Sequence, residues 1–214
     1  MNAQAQQDWQ SFLDEVTATE SKHYLWLRSL SYLEYIGYRK MVKALGYDNV
    51  NKGVYHHLTD EIQHSYMLRE LAEKNFGRQK AESFSEEYQD IAEDYFQKID
   101  AEIDAWVQRV NGSENPLYCY LLTSFIVEKR AMSVYPHYYS RLSEAPSKII
   151  IQKIIKDESE HLSYLEGKMP LVPGFSEGQA ETLLAFESKC FSEYLRRMQA
   201  CFHSSVEVPK CRSA

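Results

Sequence analysis

The chain has 214 residues, a net charge of −7, and only 8 glycines and 6 prolines. That length suits one domain with a substantial core, and the acidic balance, with no basic stripe, gives no reason to expect nucleic-acid binding. No apolar run approaches the ~20 residues needed to span a bilayer, Met1 to Gln10 lacks the basic and apolar regions of a signal peptide, and the four cysteines form no Cys-x-x-Cys pair. Reduced thiols in a cytoplasmic protein with no membrane contact is the expectation.

Scarce turn formers predict long helices and an all-α fold, a single domain over residues 1–204. A first helical segment is expected from Gln7 to Thr17, with Trp9, Phe12, Leu13 and Val16 on one stripe. The first core helix is expected at about 21–45, its inward face carrying Leu27, Leu30, Glu34, Tyr38 and Met41. Turn formers follow at Gly46-Tyr47-Asp48-Asn49. The second core helix, about 50–76, stacks Val54, His57, Glu61, His64 and Leu68, and Gly77 is placed to end it. Residues 83–110 keep helical spacing through Tyr88, Ile91, Tyr95, Ile99, Ile103 and Trp106. At 1.5 Å per residue they span ~42 Å, enough to carry the chain back to its starting end. The third core helix, about 116–142, then runs parallel to the second and carries Ser124, Phe125, Glu128, Ala131 and Tyr135 near one face. A turn at Ser143 to Pro146 leads into the fourth, about 147–168, with Ile151, Ile154, Glu158, His161 and Leu165 in line. A break at Pro170 to Pro173 precedes a C-terminal helix at about 176–203, and residues 205–214 read as a loose tail.

Two five-residue patterns stand out: Asp60-Glu61-Ile62-Gln63-His64 and Asp157-Glu158-Ser159-Glu160-His161. Glu and His three residues apart project from one helix face, so each pattern can offer a metal one carboxylate and one imidazole. Each follows a lone glutamate in an apolar helix, Glu34 in Tyr32-Leu33-Glu34-Tyr35-Ile36 and Glu128 in Phe125-Ile126-Val127-Glu128. Glu34 and Glu61 stand nearly equidistant from one turn, and Glu128 and Glu158 from the other, so antiparallel hairpins bring each pair level. Buried carboxylates are costly unless paired or bound to a cation. Mixed oxygen and nitrogen ligands without cysteine suit iron or manganese rather than structural zinc. His57, one turn before Glu61, faces the same way; a hydrogen-bonded core histidine is its ordinary role. His23, His56, His137 and His203 have no partner pattern and read as surface residues.

On Glu34, Glu61-x-x-His64, Glu128 and Glu158-x-x-His161, residues 21–168 resemble the ferritin-like di-iron carboxylate superfamily. The resemblance implies a ferritin-like four-helix bundle with a helical crossover and an additional C-terminal helix. It implies two iron ions, with manganese or a mixed manganese–iron pair as alternatives. Glu61 and Glu158 would bridge the ions, with Glu34 and His64 at one end and Glu128 and His161 at the other. Asp157 would orient His64, and Asp60 would orient His161, as supports outside the ligand set. The aspartates lean toward the oxygen-activating members of the superfamily: a non-haem di-iron oxidoreductase that uses O2 to oxidise a small organic substrate. Rubrerythrins usually carry a Cys-x-x-Cys domain, which is lacking here, so electrons would come from a separate donor. The C-terminal helix would cap the bundle or build a homodimer. The alternatives are ferroxidase or iron-handling activity, peroxide reduction of the rubrerythrin type, and a non-catalytic helical module whose polar core sets register.

Overall fold

The computed structural model describes residues 3–45, 50–76 and 87–204. It is all-helical over these residues: α1 (Ala3–Ala18), α2 (Glu20–Leu45), α3 (Lys52–Phe76), α4 (Glu87–Asn111), α5 (Pro116–Tyr139), α6 (Ala145–Glu166) and α7 (Glu177–Ser204), with a 3-10 turn at Met169–Leu171 between the last two. The expected turn at 46–49, the stop at Gly77, the first residues of the 83–110 segment and the 205–214 tail lie outside the described residues.

Local chemistry sets the helix ends. Asn51 Oδ1 accepts from the amides of Gly53 (2.9 Å) and Val54 (3.2 Å), which closes the first turn of α3. Asn115 does the same for α5 through Tyr118 N at 3.2 Å, with Pro116 as the next residue. Gly112, at φ 73°, ends α4 in the left-handed region that a side chain would resist. The fifth helix stops at Tyr139 instead of reaching Leu142. Past Pro136, Arg141 N and Leu142 N bond back three residues, to Tyr138 O and Tyr139 O, and the chain tightens out of the helix.

Side-chain contacts fix the directions of the helices. Ser31 meets Ser65, and His23 meets Phe76, so α2 and α3 are antiparallel. Lys129 pairs with Glu166 and Lys148 lies over Tyr139, so α5 and α6 are antiparallel as well. Asn75 reaches Ser147 while Asp60 reaches His161, which sets α3 against α6 in opposite directions and makes α3 parallel to α5. Outside these four, α4 runs beside α2 through Tyr32–Glu93 and Lys40–Asp100, and α7 packs along α4 through Lys98–Glu193 and Arg197–Asp94.

The core continues outward from the four helices. Trp9 and Phe12 of α1 pack on Trp26 of α2 at 6.1 and 5.2 Å between ring centroids, and they also reach Phe191 and Phe202 of α7. Aromatic side chains bury ~150–250 Å² each, so this cluster ties α1 and α7 to the core. A buried ion pair adds a polar clamp. Arg130 of α5 holds Glu187 of α7 through two bonds (2.8 and 2.6 Å), and Tyr95 of α4 donates to the same carboxylate at 2.6 Å. Removing one partner of such a pair typically costs ~3–5 kcal/mol, because the other charge stays buried.

His23 departs from its expected surface position. It is half-buried between the rings of Phe76 and Tyr138 and bonds the Tyr138 hydroxyl. Burial pulls its imidazole from 6.5 down to about 4. The unfolded chain therefore binds a proton that the folded chain refuses, so stability is full above pH 6.5 and is lost as pH falls toward 4. Discounted for partial solvent access, the loss is about 2 kcal/mol. His23→Gln should flatten that part of the pH dependence, as read by urea unfolding at pH 7 and pH 4.5. Identical pH slopes for the two proteins would contradict this assignment.

Candidate metal centre

Glu34 comes from α2, Glu61 and His64 from α3, Glu128 from α5, and Glu158 and His161 from α6, so four helices contribute to one cluster. Glu61, His64, Glu128, Glu158 and His161 are buried, and Glu34 is partly so. Two groups form, each with its ligand atoms within 4.8 Å of one another: Glu34, Glu61, His64 and Glu158 in one, and His57, Glu61, Glu128 and His161 in the other. Glu61 belongs to both. Glu158 also faces both, with Oε1 at 2.9 Å from His64 Nδ1 and Oε2 at 3.1 Å from His161 Nδ1.

Each imidazole is held from behind by the opposite helix. His64 Nε2 lies 3.1 Å from Asp157 Oδ2, and His161 Nε2 lies 3.1 Å from Asp60 Oδ2. A ring that donates from Nε2 turns its Nδ1 lone pair toward the glutamates. His64 Nδ1 and Glu158 Oε1 are both buried and make no hydrogen bond with each other or with any other group, despite their short separation. A contact this short between a buried nitrogen and a buried carboxylate oxygen needs either a proton or a metal ion between them. The donor set fits a metal ion: carboxylates and imidazoles drawn together in two groups, with no thiol among them.

Electrostatics point the same way. Burial and the nearby charge of Glu34 push the Glu61 carboxyl up to about 8. Burial pulls down on His64 and His161, but the carboxylates around them outweigh it and hold both imidazoles up at about 12. Burial also works against the Glu128 carboxylate, yet its contacts with Glu158, His161 and His57 keep it well below the usual range. Without a metal, protons supply the positive charge that these carboxylates require. Divalent cations are the alternative source, and loading them would displace those protons.

Other side chains complete the site. Tyr135, seven residues after Glu128, donates to Glu34 Oε1. Tyr120 sits 3.1 Å from His57 Nδ1, while His57 Nε2 lies 2.8 Å from Glu128 Oε1. Sequence reasoning placed Tyr135 on this face without giving it a partner, because the partner comes from another helix. Tyr38 is half-buried. Tyr164 bonds Asn51 (3.3 Å), away from the cluster, and Glu160 is exposed and paired with Lys156.

A cavity of about 510 Å³ reaches the cluster at His57, Glu61 and Glu128. Gly37, Met41, Thr123, Ser124 and Val127 line it, and the exposed Lys43, Asp104 and Glu114 stand at its outer part. A second cavity, about 60 Å³, touches Glu34, Glu61, Glu128 and Glu158 among Leu30, Leu33, Ala131 and Val134.

Gly37 explains itself at this point. A glycine inside an exposed helix costs about 1 kcal/mol relative to alanine, yet here an added Cβ would fall 2.7 Å from Glu61 Oε2. Gly37→Ala should keep its helical circular dichroism, because the end of a flexible side chain can yield, but Glu61 must turn away. Divalent metal affinity should fall about 10-fold or more, measured by calorimetry; wild-type affinity would show that the vacant space is not needed. Comparisons with family models, curated proteins and solved structures find no match for this chain.

Proposed function

We propose that the chain is a ferritin-like four-helix bundle holding two iron ions, and that it works as a non-haem di-iron oxidoreductase oxidising a small organic substrate with O2. The observation that carries this reading is the pair of ligand groups that share Glu61, with Glu158 facing the imidazoles of both. Glu34, Glu61, His64, Glu128, Glu158 and His161 would hold the ions, with manganese as the alternative metal. Bound ferrous ions would supply the electrons that dioxygen needs.

The chain's own contribution is positioning and exclusion of water. Asp60 and Asp157 fix the rings of His161 and His64, and Tyr135 anchors Glu34. Preset donors spare the site reorganisation during reaction. The 510 Å³ cavity falls within the ~300–1,000 Å³ range of small-molecule pockets, and it supports an organic substrate approaching His57, Glu61 and Glu128. The 60 Å³ cavity exceeds the ~10–15 Å³ a water needs and is lined mainly by apolar groups, which suits a diatomic gas. The chain has no Cys-x-x-Cys pair, so electrons for repeated turnover would come from a separate donor. No helix among the described residues is long and apolar enough to cross a membrane, and a cytoplasmic location remains part of the proposal.

One observation favours a second reading, ferroxidase or iron handling. Asp100, Asp104 and Glu114 line the larger cavity, and carboxylates along a passage suit a travelling cation. An anaerobic ferrous titration followed by air separates the two. The oxidoreductase reading predicts saturation near two irons per chain and oxygen consumption that stops at that ratio. Glu61→Ala or His64→Ala should abolish both while largely keeping the helical content. Uptake far beyond two irons would move the chain to iron handling, and absence of specific binding would overturn both readings.

A further inference from the structure

The two ligand groups are not equivalent. The group of Glu34, Glu61, His64 and Glu158 contains one imidazole, whereas the group of His57, Glu61, Glu128 and His161 contains two. His57 Nε2 lies 2.8 Å from Glu128 Oε1 and 3.2 Å from Glu61 Oε1, and its ring stands 4.2 Å from that of His161 at an angle of 32°. The ring is 2 % exposed, so it has no access to water in place of these partners.

His57 is supported from behind as the other two imidazoles are. Its Nδ1 lies 3.1 Å from Tyr120 OH, on the side away from the carboxylates. With a proton on Nδ1 donated to the Tyr120 oxygen, Nε2 carries a lone pair aimed between Glu61 and Glu128. Only the supporting group differs, a phenol in place of the aspartates behind His64 and His161. An ordinary core histidine would use Nε2–H as a donor to Glu128 and would leave the second group with His161 as its single nitrogen. The two arrangements share these positions and differ in whether a proton or a metal lies between Nε2 and the carboxylates.

We propose that His57 is a seventh protein ligand, making the position of Glu128 and His161 a two-nitrogen site distinct from the one-nitrogen site of Glu34 and His64. The inference rests on the two-metal reading above and adds an inequality to it. The two-nitrogen position is also the one that the larger cavity meets, since His57, Glu61 and Glu128 line that cavity and Glu34, His64 and Glu158 do not. A molecule in the cavity would therefore meet the two-imidazole position, whose residues line it. Imidazole ligands suit iron, copper, nickel and zinc, while carboxylate-rich sites suit manganese. The fold thus has a basis for placing unlike ions in a fixed order.

Cobalt(II) titration of the metal-free full-length protein tests this, followed by visible absorption and by calorimetry. Two cobalt ions should bind with distinguishable affinities and spectra. His57→Ala should weaken one of the two by about 10-fold or more and alter its absorption while leaving the other unchanged; removing a mere support behind a ligand already costs ~10–100-fold. Tyr120→Phe should weaken the same ion by a smaller factor. If His57→Ala fails to fold, a cobalt-loaded crystal of the unmodified protein decides: a Co–Nε2 distance near the ~2.0–2.2 Å usual for metal–imidazole bonds supports the proposal. A ring that stays beyond 3 Å from both ions overturns it. Two ions bound identically by wild type and His57→Ala overturn the inference alone, whereas absence of cobalt binding by wild type overturns the two-metal reading with it.

Discussion

Four glutamates converge between four helices, and the rest of the structure is arranged around that charge. Among the described residues, the ionic partners of Glu34, Glu61, Glu128 and Glu158 are imidazoles. Arg130 is close in sequence but is held by Glu187 on the other side of its helix. Each uncompensated buried charge costs several kcal/mol, so the cluster is a liability unless cations neutralise it. A fold that needed only to set helix register could use a single polar residue. Four carboxylates and three imidazoles brought together from four helices form instead two groups that could each hold an ion.

The same constraint shapes the packing. The α3–α6 face is joined at the cluster by Asp60–His161 and His64–Asp157, two polar pairs that cross in opposite senses. Apolar packing continues above and below it through Val54, Leu68, Ile154 and Leu165, and outward into the aromatic cluster of α1, α2 and α7. Apolar burial thus surrounds a polar centre on the inner faces of four helices. Gly37 shows the constraint within a single helix, where propensity is given up to leave Glu61 its place.

Much of this was legible in the sequence for a simple reason. Helical periodicity puts Glu61 with His64, and Glu158 with His161, on one face without any knowledge of tertiary structure. The placement of turns brings Glu34 and Glu128 level with them. What periodicity lacks is the identity of the residue across the gap. His57 was visible as a neighbour of Glu61 on the same face, but its approach to Glu128 depends on the distance between α3 and α5. Tyr120 and Tyr135 lay on the right helix among many tyrosines, with nothing local to single them out. Glu187 gave no signal, since its partners Arg130 and Tyr95 lie 57 and 92 residues away. His23 was misread for the same reason: its environment is built by Phe76 and Tyr138, which lie on other helices.

The central claim is that this cluster binds metal cations, and thermal unfolding under anaerobic conditions with and without ferrous iron tests it most directly. An ion that binds only the folded chain stabilises it by about 4 kcal/mol at a thousandfold excess over its dissociation constant. For a domain of this size that corresponds to a rise of roughly 10 °C in Tm. The account predicts such a rise, complete at two irons per chain. A melting temperature that iron leaves unchanged would contradict it.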